Sequence, residues 1–134
     1  MSQENVRTIQ TIYEAFGKGD IAVILQRVTD DTAWGFNVSN SGVPWHTPIK
    51  SKASLPSFFN SFMSNVDIKA FEPKAFMDSG DSVIVHLHLE YTVKKTGKSV
   101  KEDQLQWWTL DRQGIVKGLM HFEDTAQVVK AWGS

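Results

Sequence analysis

The sequence predicts an α+β roll, a curved antiparallel sheet wrapped around helices contributed by the N-terminal half. Three observations lead there. The helical patterns cluster early, with apolar residues at three- and four-residue spacing, and four alternating strand patterns follow one another after about residue 66. The connections between those strands are short turns, so neighbours pair antiparallel and the helices must cover one sheet face. The 134 residues form a single domain, 1–134, large enough for a real core.

The first helix is expected over residues 3–17, where Val6, Ile9, Ile12, Tyr13 and Phe16 form one stripe. Ser2 is placed to cap it and Gly17 with Gly19 to end it. Asp20 is placed to cap a second, shorter helix whose inner face is Ile21, Ile24, Leu25 and Val28. Thr29-Asp30-Asp31 ends that helix and leads into a strand from Thr32 to Phe36, with Trp34 and Phe36 on one side. Asn37 to Lys52 reads as a loop rich in Gly, Pro and Ser, carrying Val43-Pro44-Trp45-His46. A third helix ends near Asn65 and presents Leu55, Phe58, Phe59, Phe62 and Met63, with Ser51 or Ser54 as its cap. Pro56 favours Ser54, because proline suits a first helical turn.

The four strands are expected at Ile68 to Met77, Ser82 to Val93, Val100 to Leu110 and Ile115 to Glu123, with a short helix over Asp124 to Trp132. Asp111-Arg112-Gln113-Gly114 carries a type I turn pattern between the last two. This final hairpin is unusual. Gln104, Gln106 and Trp108 share one face, and Leu119, His121 and Glu123 share one face of its mate, so polar groups stand where a simple core would be apolar. A curved sheet around a helix leaves a cone whose open end is a natural ligand site. The expected lining is Trp34, Phe36, Trp45, Phe59, Leu89, Tyr91, Gln104, Trp108, Leu119 and Glu123, with Trp45 in a loop over the mouth.

Composition narrows the class. A net charge of −1 offers no basic stripe for nucleic acid, and Lys94, Lys95, Lys98 and Lys101 read as a solvated hairpin tip. No cysteine is present, so disulfide and thiol chemistry are excluded. The N-terminal residues lack a signal-peptide pattern and no apolar stretch has the length to cross a bilayer, so a cytoplasmic, membrane-free protein is expected. His86, His88 and Glu90 sit on one strand face with metal-ligand spacing. Val83, Val85, Leu87, Leu89, Tyr91 and Val93 make the cleaner apolar face, so the histidines are assigned to the outer surface and no metal is expected. Leu105 and Trp107, also outward, point to a second buried surface and hence a homodimer. His46 beside Trp45 is read as an exposed loop histidine, with a lid residue as the other reading.

Nearly the whole chain also resembles a known group. The residues are Ile12-Tyr13-Glu14-Ala15-Phe16 with Gly19-Asp20 and Ile24, Thr29-Asp30-Asp31 before Trp34, Val43-Pro44-Trp45, and Phe71-Glu72-Pro73. Gly80-Asp81, Thr96-Gly97-Lys98 and Phe122-Glu123-Asp124-Thr125-Ala126 complete the set. They are similar to the nuclear transport factor 2-like superfamily, in its SnoaL-like and ketosteroid isomerase-related branch. That resemblance implies proton transfer beside a carbonyl, without a cofactor, in a pocket for a small apolar molecule. The isomerase base position falls at or beside Phe36, which takes no proton, and the protonated-acid position falls at Gln106, whose amide can still donate. Tyr13 lies one residue from the family's tyrosine. The cyclase aspartate on the last strand corresponds to His121, an imidazole able to act as acid or base. The expected catalytic set is therefore His121 with Gln106 and Tyr13. Two other readings stay open at this stage: a binding protein for a lipophilic metabolite, and an interaction module using the outer sheet face.

Overall fold

The structure is a computed structural model that describes residues 2–133. Helix α1 spans Ser2–Gly17 and α2 spans Ile21–Leu25. The side chain of Ser2, the expected cap, lies outside the described residues. The chain leaves α1 through Gly19 at φ 71°, and the Asp20 carboxylate accepts from the Val23 N–H at 3.4 Å to start α2. The second helix is shorter than its apolar pattern predicts. Val28 belongs to strand β1, Val28–Phe36, where it pairs with Val116, and the Val116 N–H binds the Arg27 carbonyl at 2.8 Å. A buried valine serves either element, and pairing decided it.

After β1 come 3₁₀ turns at Pro44–His46 and Lys52–Ser54, then α3 at Leu55–Asn65. Ser54 stands at the cap position without a capping hydrogen bond, and its hydroxyl meets that of Ser51 at 3.0 Å. The remaining strands are β2 (Val66–Ser79), β3 (Ser82–Val93), β4 (Ser99–Leu110) and β5 (Val116–Phe122). Helix α4, Thr125–Trp132, is capped by Asp124, which accepts from the Gln127 N–H at 3.2 Å.

The sheet order is β1-β5-β4-β3-β2, an antiparallel meander from β2 to β5. One pairing departs from the antiparallel expectation: β1 joins β5 in parallel. The long excursion from Asn37 through α3 and the meander returns the chain to that edge from the opposite side, as a parallel neighbour requires. Strand β2 forms the far edge and bends where its register slips near Ile68 and Pro73. The turn at Asp111 closes as read, with the Gly114 N–H on the Asp111 carbonyl at 3.0 Å and Gly114 at φ 77°.

Helices α1 and α3 lie against the concave face. Phe16 meets Phe71 of β2 at 4.8 Å between ring centres, and Phe59 meets Trp34 edge-on at 5.8 Å. The inward residues of β3 are buried along the whole strand. On the convex face Leu105, Trp107 and Phe122 are 40–47% exposed, an apolar patch without cover. Among the described residues no helix is long and apolar enough to cross a membrane.

Candidate functional site

Between the concave sheet face and the helices lies a cavity of about 90 Å³. All thirteen residues expected at the site line it: Tyr13 from α1, Trp34 and Phe36 from β1, Trp45 from the loop, and Phe59 from α3. Leu89 and Tyr91 come from β3, Gln104, Gln106 and Trp108 from β4, and Leu119, His121 and Glu123 from β5 and the residues just after it. Ile12, Phe16, Ile24, Phe58, Phe62, Phe71 and Leu87 complete the wall.

The polar groups of the wall are joined in one hydrogen-bonded chain. The Trp108 indole donates to the Tyr13 hydroxyl at 3.0 Å, and that hydroxyl donates to Gln106 Oε1. Gln106 Nε2 donates to Gln104 Oε1 at 2.7 Å. Gln104 Nε2 then donates to two carboxylates, Glu102 Oε2 at 3.1 Å and Glu123 Oε2 at 3.3 Å. Glu102 also accepts the Asp124 N–H at 2.9 Å, which ties it to the start of α4. Each buried amide is thereby satisfied, the condition on which burial of such groups is tolerated. Gln106 is held by Tyr13 and Gln104 rather than by His121 or an open position for ligand. The Tyr13 proton is engaged by Gln106, so Tyr13 and Gln106 form a structural pair in the wall.

His46 overturns its reading as an exposed loop residue. It is 6% exposed, with Nε2 on Glu123 Oε1 and Nδ1 on the Ser41 hydroxyl at 2.8 Å. The Ser41 oxygen in turn accepts the Val43 N–H at 3.1 Å. The Glu123 side chain is 4% exposed, and a carboxylate so enclosed needs a partner. No local pattern could announce this pairing, because the two residues are 77 positions apart. Glu102, 5% exposed, was legible in principle, since it continues the inward parity of Gln104, Gln106 and Trp108 by one step. Burial and the Glu123 charge raise the Glu102 carboxyl to about 7.

His121 stands apart from the chain. Its Nδ1 donates to the Gly35 carbonyl at 3.0 Å, and its ring stacks on Phe36 at 4.3 Å and 9°. Burial lowers its pKa below 6.5, against the opposing pull of the Gly35 bond and the Glu123 charge. With Nδ1 carrying the proton, Nε2 keeps a lone pair that has no partner among the described residues. Tyr91, 2% exposed, likewise has a hydroxyl without a hydrogen bond among them.

The outer-face histidines are engaged with neighbouring carboxylates. His88 sits between Asp103 and Glu90, 2.6 Å from each, and His86 lies 3.4 Å from Asp103. Hydrogen bonds to Glu90 and Asp103 raise the His88 pKa and lower those of the two acids. Among the described residues no group of three or more His, Cys, Asp or Glu side chains is arranged to hold a metal ion.

Known proteins supply a context for this architecture. No protein of curated function matches the sequence. An NTF2-like protein from Burkholderia xenovorans LB400 superposes with a TM-score of 0.87 at 24% identity, over 98% of this chain and 97% of its own. TerC, co-crystallised with polyporic acid, gives a TM-score of 0.83 at 21% identity, over 97% and 98%. A proposed SnoaL-like polyketide cyclase from Mesorhizobium loti gives 0.73 at 17% identity, over 90% and 97%. At these identities the likeness is one of fold. The family model of the SnoaL-like domain matches residues 9–118, most of the chain, and this protein belongs to that family.

Proposed function

We propose that this chain is a cofactor-independent acid/base enzyme of the isomerase, cyclase or dehydratase kind, acting on a small carbonyl compound held in the cavity. One observation carries the reading: a neutral imidazole, His121, lines an apolar cavity with an unpartnered Nε2 lone pair. In the proposed step, Nε2 takes a proton from the carbon beside the carbonyl. The C–H electron pair forms a C=C bond as the C=O π pair moves onto the oxygen. The imidazolium then returns the proton at another carbon of the conjugated system as the C=O bond re-forms. Positioned bases of this type contribute about 10²–10⁴-fold. The Gly35 carbonyl fixes the tautomer, and the flat contact with Phe36 fixes the ring.

Size limits the substrate. A cavity of about 90 Å³ is smaller than the roughly 150 Å³ that takes up benzene, so the compound is about one ring or less unless aromatic side chains such as Trp45 move. The test needs no knowledge of the product. Small ketones are incubated with the protein in deuterium oxide, and loss of α-proton signals is followed by NMR. Catalysed exchange that disappears in His121→Ala, with the fold intact, is the expected result; exchange that survives the substitution removes His121 from the mechanism.

Phe36 favours a second reading. It stands at or beside the position where the resembling isomerases carry their base, and its ring covers one face of His121. A cavity so arranged suits a protein that holds a lipophilic metabolite without transforming it, and saturable binding with no exchange for any ketone tested distinguishes this case. We also propose that the chain forms a homodimer through the outer sheet face, on the strength of the exposed Leu105, Trp107 and Phe122.

A further inference from the structure

Two tyrosines line the cavity, and they differ in what their hydroxyls have left to offer. Tyr13 accepts from Trp108 and donates to Gln106, so its proton is engaged within the wall. Tyr91 has no such partner. Its ring is fixed by edge-on contacts with Phe62 at 5.4 Å and Trp45 at 6.3 Å, and the residue is 2% exposed. Its hydroxyl oxygen is also not among the sealed polar atoms: Thr29 Oγ1 is the one buried side-chain oxygen or nitrogen enclosed without a partner among the described residues. The Tyr91 hydroxyl is thus unpartnered and not fully sealed, and it belongs to a residue of the cavity lining.

Such a group is costly to leave unmatched, and folded proteins seldom keep one without a reason. The charged groups that bear on Tyr91 are Glu102 and Glu123. Burial first, and then both carboxylates, disfavour a phenolate there, so the oxygen keeps its proton and can serve as a donor.

We infer that the Tyr91 hydroxyl is the donor that holds the ligand's oxygen, so that the cavity selects compounds bearing a hydrogen-bond-accepting carbonyl over hydrocarbons of the same shape. This rests on the reading of the cavity as a ligand site. It moves the oxygen-binding role from Tyr13 and Gln106, where the family resemblance places it, to β3. A site built to hydrogen-bond an oxygen rejects the analogue that lacks it, because the buried donor is then left bare.

The experiment compares acetone with isobutene, which replaces C=O by C=CH₂ at nearly constant shape, both being small enough for the cavity. Binding is read from the indole N–H signals of Trp34 and Trp108 in the wild type and in Tyr91→Phe. The wild type is expected to prefer the ketone by about tenfold, the size of one ordinary hydrogen bond. Tyr91→Phe is expected to bind both compounds equally while keeping its affinity for the hydrocarbon. A ketone preference that persists in Tyr91→Phe overturns the assignment and leaves the cavity as a ligand site. Equal binding of the two compounds by the wild type overturns it in the same way. A Tyr91→Phe chain that cannot fold overturns it too, since the hydroxyl would then serve the structure. Binding of neither compound by the wild type refutes the ligand-site reading itself.

Discussion

Replacing Glu102 by glutamine isolates the electrostatic cost of the buried polar chain. Glu102 is 5% exposed, close enough to Glu123 to feel its charge, and its carboxyl is raised from 4.5 to about 7. An acid raised on folding binds its proton more tightly in the folded state than in the unfolded one. The stability that proton confers is present below about pH 4.5 and is lost as pH rises toward 7. Each tenfold change in an acidity constant is worth about 1.4 kcal/mol, so the wild type gives up about 3 kcal/mol across that window. Glutamine is neutral like the protonated acid, but its one oxygen accepts only one of the two N–H groups that Glu102 accepts, and its NH₂ group faces the other. Whatever the cost of the lost contact, Glu102→Gln should gain about 3 kcal/mol on the wild type between pH 4 and pH 8. Urea unfolding at several pH values measures this gain, since the midpoint shifts while the slope stays fixed when only stability changes. Parallel stability curves for the two proteins would refute the account. That result would mean that the hydrogen bonds to Gln104 and Asp124 matter more than the charge.

Other consequences are simpler to read. Tyr13→Phe strands the Trp108 indole and Gln106 Oε1, and thermal melting should show a loss of about 1–3 kcal/mol. His46→Ala leaves the enclosed Glu123 carboxylate without its imidazole, and chemical denaturation should show a loss of about 3 kcal/mol or more. If His121 is the base, α-proton exchange should be constant above pH 6.5 and decline on acidification below it, because its pKa is lowered and only the neutral ring accepts a proton. Trp107→Glu should convert a dimer into a monomer in sedimentation experiments, whereas a wild type that sediments as a monomer removes the outer-face interface.

Much of the fold is written in local patterns. The alternation in β3 and β4 names the buried face residue by residue, and the turns at Asp111 and Gly97 fall where their chemistry requires. The patterns mislead where two elements suit the same side chain. Val28 fits the apolar face of a helix as well as a strand, and only its pairing with Val116 settles the matter. They are silent on long-range polar pairing. His46 follows a tryptophan in a loop of Gly, Pro and Ser, and nothing near it announces a carboxylate partner 77 positions further along the chain.

The site follows the same division. Strand parity brings Gln104, Gln106, His121 and Glu123 to one wall, yet parity cannot say which of these groups remain free for a ligand. That depends on the hydrogen bonds each has already formed, a property of the whole chain of partners. Tyr13 and Gln106, two of the three residues that the resemblance singles out, use their polar atoms on each other and on Trp108 and Gln104. His121 and Tyr91 keep an acceptor and a donor in reserve. Asp103 and Glu102 stand on opposite faces of β4. Adjacent in sequence, one is an exposed acid lowered by histidines and the other a buried acid raised to about 7. The side of the sheet decides the chemistry of each.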